Sequence, residues 1–92
     1  MVTKLDARFK LYSQGFKYRV RFNTQNEYGA YSNALKWLEN SYGPECTWNV
    51  QNSWSKKTWN HHWRVITPST NRFWRDVYLR EEQDVTMMML AA

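Results

Sequence analysis

The sequence predicts an α+β domain: one antiparallel sheet of four strands, or five, with a long helix and a short C-terminal helix on one face. Three observations carry this. Phe16–Phe22 alternates without a fault, with Phe16, Tyr18, Val20 and Phe22 on one side and Lys17, Arg19 and Arg21 on the other, the period of a half-buried strand. The pattern then switches to helical spacing at Tyr28, Tyr31, Leu35, Leu38 and Tyr42, widened by Ala30, Ala34 and Trp37. After Gly43-Pro44, the expected helix stop, strand-like alternation returns three times.

Taken in order, Met1–Asp6 reads as a loose start. Ala7, Phe9 and Leu11 alternate with Arg8, Lys10 and Tyr12, a weaker signal that would supply the fifth strand, and Ser13-Gln14-Gly15 turns the chain into the main strand. Thr24-Gln25-Asn26-Glu27 matches a capping box and predicts a helix over Gln25–Tyr42 with Leu35 buried. Cys46, Trp48 and Val50 then alternate with Thr47, Asn49 and Gln51, which predicts a strand with Trp48 buried. Trp59–Ile66 reads as the next strand, Thr67–Asn71 as a turn by composition, and Arg72–Arg80 as the last strand, with Arg75 the one cation on its apolar side. In Glu81–Ala92 the acids Glu81, Glu82 and Asp84 precede a stripe of Val85, Met88 and Met89. This suits the first turn of a helix better than an edge strand over Val85–Leu90.

Short connections make the later strands antiparallel, and helices on one side leave the other side of such a sheet open. The helix side would hold Phe16, Tyr18, Val20, Phe22, Trp48, Val50, Trp63, Val65, Phe73, Val77 and Leu79. The open side would hold Lys17, Arg19, Arg21, Asn49, Gln51, His62, Arg64, Trp74, Tyr78 and Arg80, a surface at once basic, hydrogen-bonding and aromatic.

Composition sets the limits. A length of 92 residues suits a single domain over 1–92 with one modest core. Six Trp, six Tyr and four Phe are more rings than such a core needs, so some should reach the surface. The net charge of +5 favours nucleic acid, an acidic membrane surface or an acidic protein as partner. One cysteine, Cys46, excludes an internal disulfide and suits a reducing cytosol. No stretch approaches the roughly 20 apolar residues of a membrane span, and the polar start does not read as a signal peptide.

The order β-α-β-β-β-α resembles the ferredoxin-like plait shared by RNA-recognition modules, although no strand carries their signature of a basic residue, glycine and spaced aromatics. The alternating FKYRVRF strand, the Trp-rich middle and the tail EEQDVTMMML resemble small uncharacterised accessory proteins of tailed phages. That resemblance implies a virus-encoded protein of the host cytoplasm and carries no motif of known chemistry.

Metal and catalytic sites find little support. His61 and His62 are adjacent, so on a strand they point to opposite faces, and Cys46 completes no recognised ligand spacing. No Gly-rich phosphate loop, nucleophile elbow or paired His and carboxylate is present, so neither metal, cofactor nor enzymatic activity is expected. The chemistry that the open face does suggest is contact with single-stranded RNA or DNA. Lys17, Arg19, Arg21, Arg64 and Arg80 would neutralise phosphates, His62 would contact phosphate or base, and Trp74 and Tyr78 would stack on bases. Trp, Tyr and Arg are equally the preferred anchors of protein interfaces. A regulator that binds a host protein through the same face is therefore the rival reading, and a homodimer burying that face a third.

Overall fold

The computed structural model describes residues 2–43 and 62–92, and the backbone of 46–48 and 57–59. In chain order the elements are β1 (Val2–Lys4), a 3-10 turn (Lys10–Gln14), β2 (Tyr18–Asn23), α1 (Tyr28–Tyr42), β3 (Cys46–Trp48), β4 (Lys57–Trp59), β5 (Trp63–Ile66), β6 (Trp74–Leu79) and α2 (Glu82–Ala91). The architecture is α+β, with two helices and one antiparallel four-stranded sheet in the order β1-β2-β6-β5. Because β6 pairs antiparallel with both β2 and β5, those two strands run parallel to each other with β6 between them.

Several expectations change. The fifth-strand signal over residues 7–12 gives way to the 3-10 turn, and the supposedly loose start supplies the edge strand β1 instead. The strand expected from Cys46 does not join the main sheet where it is described. Its described part, β3, pairs with β4 in a separate two-stranded sheet, registering Cys46 with Trp59 and Trp48 with Lys57. The single strand expected over Trp59–Ile66 is thus two strands, β4 and β5. The ferredoxin-like order is not reproduced as expected, since an N-terminal strand holds the sheet edge beside β2. The side chains of Cys46 and Trp48, and the whole of Asn49, Val50, Gln51 and His61, lie outside the described residues.

The helix side of the sheet forms the main core. Val20 and Phe22 of β2, Val77 and Leu79 of β6 and Trp63 of β5 meet Ala34 and Leu38 of α1 and Val85 and Met88 of α2. Each large apolar side chain removed from water here contributes about 1.5–3 kcal/mol. Trp63 is buried without an orphaned donor, because its Nε1–H donates to the Gly43 carbonyl at 3.1 Å. Leu35, expected at the centre, is only half-buried, and Leu38 takes that place. Arg75, the cation on this side, turns back to the carbonyls of Arg72 and Trp74 at 2.6 and 2.9 Å.

The start of α1 also differs from the pattern. Thr24 is not its cap; the Thr24 hydroxyl donates to the Phe73 carbonyl at 2.8 Å and fastens the turn after β2 to the start of β6. Asn23 closes the turn ahead of the helix, its Oδ1 accepting from the Gln25 N–H at 2.9 Å, while Glu27 Oε1 accepts from the Asn23 N–H at 3.1 Å; Glu27 is the N-cap residue, and its side chain makes no capping bond. The helix begins only at Tyr28. Its end is the expected one: Gly43 lies at φ +84°, where a side chain would be strained, and its N–H closes on the Glu39 carbonyl.

The two helices are joined by a buried polar contact. The Tyr42 hydroxyl donates to Asp84 Oδ1 at 2.5 Å, and Asp84 sits in the first turn of α2 with 5% of its surface exposed. This hydrogen bond, aided by burial, pushes the Tyr42 phenol up to about 12 from its usual 10. The neutral phenol is the favoured form in the fold, so its contribution is complete below pH 10 and is lost as the pH climbs towards 12. In an alkaline absorbance titration, Tyr42 should ionise as a late phase towards pH 12. Tyr42→Phe should remove that late phase and flatten the loss of stability over the same range. A titration with no such late phase assignable to Tyr42 would show that the contact to Asp84 does not form.

Candidate functional site

The alternation of β2 and β6 sends one set of side chains to the core and the other to the opposite face. That second face carries Lys17 just ahead of β2 and Arg80 just after β6, then Arg19, Tyr78 and Arg64 in one cross-strand row. The next row is Arg21, Asp76 and Ile66, and the last is Asn23 and Trp74. Seven of the eight predicted site residues thus share the face on which the alternation placed them. His62 does not join them, since its ring stacks on Tyr42 of α1 with centroids 4.1 Å apart and planes 9° from parallel.

The face is not open, however. Residues 5–16 cross it as a strap, with Leu5, Leu11 and Phe16 buried against Tyr78 and with Phe9 and Ile66 packed alongside. Phe16 therefore serves this second core and not the helix side. The strap folds here for local reasons. Asp6 Oδ1 accepts the Arg8 N–H at 2.9 Å and the two side chains pair, starting the turn. Gly15, at φ +97°, reverses the chain at the far end, and its backbone lies so close to the Arg80 guanidinium that a Cβ would fall 2.3 Å from it. The Leu5 N–H donates to the Lys17 carbonyl at 2.8 Å, tying the strap back to the sheet.

The cations expected to meet phosphates meet the strap and its surroundings. Arg80 donates to the Gln14 carbonyl at 2.8 Å and lies 5.2 Å from the Phe16 ring. Arg19 stands over Phe9 at 5.4 Å and Lys17 over Tyr12 at 5.9 Å. Arg64 donates to Gln14 Oε1 at 3.3 Å. Arg21 forms a two-pronged pair with the buried Asp76, at 2.7 and 3.0 Å, and covers one face of Trp74 at 4.2 Å. Asp76 is 3% exposed, and its charge is matched by Arg21. Tyr78 is likewise buried, edge-on to Phe16 with centroids 6.5 Å apart. It cannot stack on a base while the strap is in place.

Magnitudes decide what holds the strap. Each ring–cation contact near the surface is worth about 0.5–1 kcal/mol, whereas burial of each of Leu5, Leu11 and Phe16 is worth about 1.5–3 kcal/mol. The apolar anchors fix the strap, and the cations align it. Among the described residues, Arg19 Nε is buried with no hydrogen-bond partner, a loss of about 1–3 kcal/mol that the Phe9 ring offsets only in part.

Between the strap and β5 a groove of about 340 Å³ remains. Phe9, Leu11, Ile66 and Tyr78 form its apolar wall, and Lys10, Gln14 and Arg64 contribute its polar groups; none of these lining residues is acidic. Strand alternation places Arg64 on this face but gives no sign of Phe9, Lys10, Leu11 and Gln14, because residues 7–12 alternate like a strand of their own. The turn signal at Ser13-Gln14-Gly15 was the available hint that Leu11 and Phe16 could face each other across a reversal.

These roles predict an order of stability. Arg19→Met removes the orphaned donor and keeps the length of the side chain, so it should match or exceed wild type in urea denaturation. Arg80→Met deletes the donor to Gln14 and should cost about 1 kcal/mol. The reverse order would mean that Arg19, and not Arg80, fastens the strap. Comparison of the chain with protein-family models, curated proteins and solved structures found no match.

Proposed function

We propose that the protein is a non-enzymatic module that binds single-stranded RNA or DNA along the strapped basic face. The observation that supports this most is the company the groove keeps. Its cations are Lys10 and Arg64, Arg80 shares Gln14 with Arg64, and no acid lines it. Trp74, half-buried, stands four residues from Tyr78 along β6, a separation of about 13 Å. A few nucleotides of an extended strand would cover that distance, with phosphates on the cations and a base against the exposed part of the indole. The strap narrows the expected contact set. Lys10, Lys17, Arg64, Arg80 and Trp74 carry it; Arg19, Arg21 and Tyr78 support the face from beneath. No helix among the described residues is long and apolar enough to cross a membrane.

The reading predicts affinity that falls steeply with salt, since each neutralised phosphate of a single strand adds about −0.7 to the log–log slope. Changing Lys10 and Lys17 to Ala together should make the slope shallower by about 1.4. Trp74→Ala should cost about 1–3 kcal/mol of binding and leave the slope alone. Fluorescence anisotropy with labelled oligonucleotides at several salt concentrations measures all three. Absence of binding at low salt would overturn the proposal and leave the face to a protein partner.

A further inference from the structure

We infer that the groove between the strap and β5 receives one nucleotide unit, its base against the apolar wall and its phosphate on Arg64 and Lys10. The inference deepens the proposed function and rests on it, but it concerns a bounded site. Four features select this ligand. The lining holds two cations and no acid, so the ligand carries negative charge. Phe9, Leu11 and Ile66 offer an apolar and aromatic wall, which suits a flat ring and not a bare inorganic anion. Gln14 presents an amide, donor and acceptor together, at the same site as Arg64, to which its Oε1 is already bonded. The volume, about 340 Å³, sits at the small end of ligand pockets and suits one nucleotide better than several.

The packing makes the groove a fixed site. Leu11 and Tyr78 are buried in its wall, and the Phe9 ring is held by Arg19 at 5.4 Å. A ligand therefore meets a preformed wall and need not displace the strap.

The test is an amide-resolved magnetic resonance titration of the whole chain with adenosine monophosphate, with adenosine and inorganic phosphate as separate arms. The monophosphate should shift the amides of Leu11, Gln14 and Ile66 saturably, and each half-ligand should bind at least about tenfold more weakly. Arg64→Gln should weaken the monophosphate by about tenfold and leave adenosine unchanged. Ile66→Phe, which narrows the groove, should weaken both. No saturable shift in those amides, or equal binding of phosphate alone, overturns the inference. Oligonucleotide affinity separates the two readings. Tight oligonucleotide binding that ignores Arg64→Gln and Ile66→Phe sinks the groove and spares the broader function. A saturable monophosphate site without oligonucleotide binding does the opposite.

Discussion

Strands β2 and β6 form the centre of the sheet, and their two-residue period obliges both faces to find a cover. One face is apolar and is covered by two helices through Leu38, Val85 and Met88. The other is a lattice of cations around Tyr78, and it is covered by the strap. The rest of the molecule follows from that second requirement. Arg80 and Gly15 set where the strap turns, Arg19 takes Phe9, and Arg21 neutralises the buried Asp76. The sheet thus uses its positive charge first to organise its own chain.

This arrangement gives functional weight to what the strap leaves uncovered. A face of unshielded arginines would bind polyanions loosely and anywhere. Here four of the cations, Lys17, Arg19, Arg21 and Arg80, are turned towards rings or a carboxylate, while Lys10 and Arg64 line the groove. The strap's own aromatics occupy positions that stacked bases would otherwise take. Recognition would then depend on the shape of one groove as well as on charge, which favours a ligand with a flat apolar part and a negative group.

The alternating strands and both helices were legible because each has a single dominant period. Tyr18, Val20 and Phe22 could face only one way, and the acids before Val85 marked the start of α2. The strap was illegible for the same reason in reverse. Phe9 and Leu11 are two residues apart, as in a strand, but a 3-10 turn placed Leu11 against Phe16 and Tyr78. Apart from the turn signal at Ser13-Gln14-Gly15, nothing local distinguishes these cases; the outcome depends on a tertiary surface that accepts apolar anchors between cations. His62 was misplaced because it precedes β5, so strand alternation did not govern it. Thr24 matched a cap motif, yet the Phe73 carbonyl, 49 residues away, claimed its hydroxyl.

The strap covers the cationic face by burying Leu5, Leu11 and Phe16 against Tyr78, with its rings aligned by the sheet's cations. The most direct measurement is nuclear Overhauser contact between the Phe9 ring and the Arg19 side chain, and between Phe16 and Arg80, in the free protein. The account predicts both contacts, with arginine methylene resonances shifted upfield by the rings and returned by Phe9→Ala at Arg19 alone. Strap resonances at random-coil positions, with no ring contacts to either arginine, would contradict it.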